Sequence, residues 1–134
     1  MKVKLAILIA AVGVLVATSA PVTAHHSFGA EFNSELPFEF TGVVTKIEWL
    51  NPHVYFYMDV TEEGGTEVNN WAMEMGSPNG LMRRGWTRNT LKIGDVVSTS
   101  GSKARDGSSK GNARGVTLSS GRILFAGSSE DNEN

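Results

Sequence analysis

Cysteine is absent from the 134 residues. That absence removes lipid attachment at a leader cysteine, disulfide stapling, thiolate metal sites and thiol nucleophiles together. A strong charge of one sign is also missing, since 12 basic residues face 14 acidic ones. Neither nucleic acid nor an anionic membrane finds an electrostatic footprint here. No serine sits in the strand-to-helix context of a nucleophile elbow, no phosphate loop occurs, and no helix carries a two-histidine metal motif. Ser27 and Ser77 lack the surroundings a nucleophile needs.

The longest apolar run, Leu5 to Ala17, falls short of the roughly 20 residues that cross a bilayer. It follows Lys2 and Lys4 and ends in Val22-Thr23-Ala24, small residues where a signal peptidase reads. Residues 1–24 therefore read as a secretory signal rather than an anchor, with Pro21 disfavouring cleavage after Ala20. The mature chain is expected to begin His25-His26-Ser27 in the periplasm, with no membrane attachment after cleavage. It keeps 110 residues, enough for one core, with 10 basic residues against 14 acidic ones.

From His25 to about Phe38 no period is visible. Residues 25–38 read as an extended arm docked through Phe28 and Phe32. From about Glu39 the chain alternates: Val43, Thr45, Ile47 and Trp49 interleave with Val44, Lys46 and Glu48, the pattern of a strand ending near Leu50. Asn51-Pro52 turns the chain, and Val54, Phe56, Met58 and Val60 alternate with Tyr55, Tyr57 and Asp59 as strand two. Glu62-Glu63-Gly64-Gly65 leads to a third strand over about 67–75, with Trp71, Met73 and Met75 on one face. Ser77-Pro78 fits an N-cap with proline at the first helical position, and Gly85 fits a stop, so a short helix follows. Val96 to Gly101 makes a fourth strand. Lys103 to Asn112, rich in glycine and serine, reads as a mobile loop. Gly115 to Leu118 and Arg122 to Phe125 form a final hairpin, and residues 127–134 a disordered polar tail.

A three-strand meander, a helix and then further strands is the element order of an OB-type barrel. The expected fold is all-β, a small OB-like barrel of five or six strands over residues 39–126 with one short helix, preceded by the arm. An open sandwich or another small barrel would leave the same pattern.

The start His25-His26-Ser27-Phe28, the run Thr41 to His53 ending Trp49-Leu50-Asn51-Pro52-His53, and Ser77-Pro78-Asn79 followed by Arg83-Arg84-Gly85-Trp86-Thr87-Arg88 resemble a family of short exported Gram-negative bacterial proteins catalogued as a domain of unknown function. Asn70 to Glu74 and Gly94 to Val97 extend the resemblance over nearly the whole mature chain. It implies a periplasmic location and a compact β domain, and it brings no catalytic residue with it.

Three constellations carry chemistry. Only three histidines occur, and His25 and His26 open the mature chain. An N-terminal histidine chelates through its α-amine and ring Nδ1, and a third nitrogen from His53 completes a T-shaped set suited to copper(II), with zinc as the alternative ion. The plain alternative leaves His26 in solvent and His53 bonded to a loop carbonyl. Second, Arg83, Arg84 and Arg88 surround Trp86, which suits a small anionic ligand with the indole as stacking platform. The alternative has the arginines completing the helix end and Trp86 packed on the barrel. Third, Glu48 and Glu74 on adjacent strands, with Tyr55 and Tyr57 nearby, are the residues an acid–base enzyme would use, although single polar residues alternate with apolar ones in any half-exposed sheet. Met58, Met73 and Met75 read as core filler. The resulting expectation is a non-enzymatic periplasmic binding module, with copper(II) at His25, His26 and His53. The alternative is an accessory or interaction domain that holds a partner protein or a small anionic ligand on its OB-like face.

Overall fold

The computed structural model describes residues 28–128. Residues 1–27, which include the expected leader and His25-His26-Ser27, and residues 129–134 of the expected tail lie outside that range. A single helical turn, α1 (Phe28–Glu31), runs into the long strand β1 (Phe32–Glu48). Then come β2 (Tyr55–Thr61), β3 (Val68–Glu74), the helix α2 (Pro78–Arg83), β4 (Val96–Ala104), β5 (Lys110–Thr117) and β6 (Ile123–Phe125). The sheet order is β3-β2-β1-β4-β5-β6, and β3 also pairs in parallel with β5. That extra pairing closes five strands into a ring with α2 between β3 and β4, the connectivity of an OB-type barrel.

Closure depends on β1, which at 17 residues pairs antiparallel with β2 through its second half and with β4 through its first. A register shift between Val44 and Lys46 bends the strand, and the backbones of Gly94 and Asp95 bond Val44 there. The shift also changes which residues face inward. Phe38, Phe40 and Val44 are buried before it, Val43 is exposed, and Ile47 and Trp49 pack partly on the core after it. A bulge that bends a strand re-aims its side chains in this way, so the apparent row Val43, Thr45, Ile47, Trp49 is not one face.

Strands two and three run as expected, because Phe56, Met58 and Val60 on one side and Trp71, Met73 and Met75 on the other fill the barrel without interruption. Helix α2 also follows its sequence signals: the Ser77 hydroxyl accepts from Gly80 N–H, and Gly85 ends the helix at φ 90°.

Two expectations need correction. The first strand begins at Phe32, not near Glu39, because Phe32 pairs with Ala104 while the exposed residues between it and Pro37 carry no alternating pattern. The expected loop over Lys103 to Asn112 is the end of β4, a tight turn and the start of β5, with Ser102 opposite Asn112 and Lys103 opposite Gly111. Asp106 closes the turn by accepting from Ser108 N–H and Oγ. Glycine and serine serve here as close-packing residues rather than as linker: a Cβ on Gly101 would stand 1.8 Å from the Asn112 carbonyl oxygen. Gly101→Ala is accordingly expected to cost at least about 1–3 kcal/mol through forced backbone movement. Chemical denaturation checks this, and an unchanged midpoint contradicts it.

Candidate functional site

His53 lies in the connection between β1 and β2, directly after the cis Asn51-Pro52 bond. Backbone bonds from Val54 N–H to Gly76 C=O and from Met75 N–H to Val54 C=O tie this connection to the chain that leaves β3. His53 Nδ1 stands 3.0 Å from the Met75 carbonyl oxygen. A carbonyl only accepts, so Nδ1 carries the proton and neutral His53 keeps its lone pair on Nε2. The ring is 29 % exposed at its side chain.

Glu74, buried to 8 % at its side chain, stands beside His53, with Oε1 3.9 Å from His53 Nδ1. Its Oε2 accepts a short hydrogen bond from the Tyr55 hydroxyl and lies 3.3 Å from Lys110 Nζ. Lys110 in turn bonds the Glu31 carboxylate at the end of α1, and its ammonium sits 5.4 Å from the ring centres of Phe32 and Tyr55. Arg105 completes the attachment of α1, donating from N–H to Glu31 C=O and from Nε to Gly29 C=O. A line of side chains, Glu31, Lys110, Glu74, His53, therefore runs from the docked N-terminal turn across the parallel β3–β5 seam to the histidine.

Burial and the Glu74 hydrogen bond push the Tyr55 phenol well above its usual range. Burial of the Lys110 ammonium works against its charge, but the Glu31 hydrogen bond and the negative charges around it outweigh that, so Lys110 titrates above its ordinary 10.5. A lysine raised in the folded state gives stability that is present below about pH 10.5 and lost as pH rises through its folded value. The denaturant midpoint is expected to fall between pH 10 and 12 more steeply in the native chain than in Lys110→Gln. Parallel curves for the two proteins would contradict this.

Glu48 and Glu74 occupy one row, since Tyr55 pairs with Glu48 on one side and with Glu74 on the other. Each carboxylate nevertheless has its own tyrosine and lysine. Tyr57 donates to Glu48 at 2.8 Å, and Lys46 Nζ lies 2.5 Å from Glu48, holding that carboxyl below its usual range. The methionines Met58, Met73 and Met75 are fully buried in the core.

The arginine constellation does not gather. Trp86 is 2 % exposed and donates from Nε1 to Phe125 C=O at 2.8 Å, so its indole is part of the barrel end and presents no platform. Arg84 donates to Gly127 C=O at 2.5 Å and lies over the Phe125 ring, which also fixes the first residue of the expected tail. Arg88 lies 5.9 Å from the Trp49 ring centre, and Arg83 is exposed at the end of α2. The cause is local: the tight turn at Gly85 directs Trp86 inward and spreads the three arginines over different partners.

His25 and His26 lie outside the described residues. Among residues 28–128 no three His, Asp or Glu side chains gather as a metal site. Sequence reasoning missed Glu31 and Lys110 altogether. Lys110 was hidden in a segment that looked like linker, and no sequence signal marks the parallel pairing that brings it to Glu74.

Fold and site together define a small closed β-barrel with a polar relay on its outer seam. The chain belongs to a family of unknown function, DUF6152, whose model matches residues 11–113. No curated protein and no solved structure matches it.

Proposed function

We propose that the mature chain is a non-enzymatic periplasmic binding module that holds copper(II) between its N-terminal His25 and His53, with His26 beside them. The observation that carries this reading is the His53 Nδ1–H bond to the Met75 carbonyl. It fixes the tautomer and leaves Nε2 as donor, the outer-sphere arrangement typical of metal-ligating histidines. The docking of α1 adds support. His25 is three residues from Phe28, so a chain of at most about 10 Å joins it to the docked turn. Imidazole and amine donors without thiolate favour copper(II) in the Irving–Williams order. The small-anion alternative at Arg83, Arg84, Trp86 and Arg88 is weakened by the burial of Trp86 and the engagement of Arg84.

The test is a copper(II) titration against a competing chelator, using protein whose His25 terminus is confirmed by mass, beside a version with one extra residue before His25. Tight one-to-one binding that the extension abolishes supports the reading. Affinity no greater than that of a free His-His-Ser peptide removes it.

A further inference from the structure

β1 and β4 part company near the start of the barrel. Phe32 pairs with Ala104 and Pro37 with Ser102, so β1 spends five residues where β4 spends two. From the surplus, Asn33 to Leu36, Ser34 lines a groove of about 770 Å³ whose floor is the outer side of β4 and β5. That volume lies in the range of small-molecule sites. Phe28 forms one side, Pro37 and Glu39 the edge, and Ser100, Ser102 and Asn112 the floor, with Arg114, which already has a partner, beside them.

Asn112 is the unusual member. It is 5 % exposed and its carboxamide opens on the groove, whereas among the described residues the fully enclosed side-chain polar atom without a partner is Trp71 Nε1. An amide that opens on a groove takes its hydrogen bonds from water or from a ligand that displaces it. The groove is the side from which that partner reaches it.

We propose that this groove is a binding site for a neutral pyranose sugar, in the size range of a mono- or disaccharide. A carboxamide presents a donor and an acceptor side by side, which matches two adjacent equatorial hydroxyls acting as acceptor and donor. Ser100 and Ser102 offer hydroxyls that work in either direction, and the Glu39 carboxylate accepts from a further sugar hydroxyl. The Phe28 ring gives an apolar surface to the C–H face of a pyranose. An extended peptide fits less well. β1 and β4 already pair with each other across the groove, through Phe38–Gly101 and Pro37–Ser102, so no free strand edge is available for main-chain pairing. The site shares no residue with the copper reading, and either can fail without the other.

The experiment is an amide NMR titration of the whole mature chain with cellobiose, and in parallel with triglycine as a peptide of similar size. Saturable shifts centred on Ser100 to Ser102 and Asn112, with Kd below about 10 mM for cellobiose and at least tenfold weaker binding of triglycine, are expected. Asn112→Ala removes the buried amide and Phe28→Ala removes the wall from a partly exposed position. Each is expected to weaken cellobiose at least tenfold, and the second keeps the test decisive if the first fails to fold. No saturable shift with cellobiose, equal binding of triglycine, or an unchanged Kd in folded Phe28→Ala overturns the proposal.

Discussion

If the proposed copper(II) site exists, replacing His53 by alanine is expected to weaken binding about 100-fold, near 2.7 kcal/mol. The residual affinity should be that of the α-amine and Nδ1 of His25 alone. The size of the loss follows from geometry. Nε2 of His53 is held by a ring whose other nitrogen is anchored on the Met75 carbonyl, so little rotamer freedom is lost when the metal arrives, and a preorganised third donor adds most of its intrinsic affinity. His53→Gln removes the ring nitrogens while keeping a polar side chain and should behave like alanine. Lys110→Gln loosens α1 without touching a ligand and should weaken binding by less. Competition titration with electron paramagnetic resonance on the same samples separates these cases. His53→Ala binding as tightly as the native chain would sink the copper reading, whatever the behaviour of the N-terminal extension.

Trp86→Ala is expected to cost about 3–5 kcal/mol, the range for deleting a fully buried large aromatic. Against the 5–15 kcal/mol that holds a typical domain together, this places the variant near the edge of folding, with Tm lowered by more than about 12 °C. The indole fills the barrel end beside the chain from α2 to β6, and its N–H satisfies the Phe125 carbonyl. Trp86→Phe retains most of the packing and loses that bond, so a loss nearer 1–2 kcal/mol is expected. Arg88→Ala, at an exposed position, should change stability by no more than about 0.5 kcal/mol. Thermal unfolding of the three variants decides between Trp86 as core and Trp86 as ligand platform: a mild effect of Trp86→Ala together with a lost ligand affinity would restore the platform.

Where burial alternates without interruption, the sequence is easy to read. Phe56, Met58 and Val60 opposite Trp71 and Met73 announce two half-buried strands, and Ser77-Pro78 with Gly85 announces the helix between strands three and four. Reading fails where a bulge changes the period. Val43 reads as equivalent to Ile47, but the shift between Val44 and Lys46 changes the phase, leaving Val43 exposed and Ile47 against the core, and the unpaired stretch from Asn33 to Leu36 hides the first pairs of β1. It fails again where small residues mean close approach rather than freedom, as at Gly101 and Gly111 in a hairpin that composition alone assigns to a loop. In the candidate site, His53 stood out because histidine is rare here. Glu74 was legible only as one of a pair of carboxylates on adjacent strands, and Glu31 and Lys110 not at all, because tens of residues of ordinary polar sequence separate them.

The sequence by itself determined the all-β class, the element order of an OB-type barrel, the capped helix, the burial of the three methionines and the scarcity of nitrogen donors that makes His53 conspicuous. These depend on short-range pattern, propensity and residue type, all of which are local. Only the tertiary structure decided that Trp86 is core, that the arginines serve separate partners, that α1 is clasped to the seam through Lys110, and that Asn112 is buried beneath a groove. Each of these depends on which distant strands become neighbours, above all the parallel contact of β3 with β5. That contact is fixed by closing the ring around one shared core, and no local stretch of the chain encodes it alone.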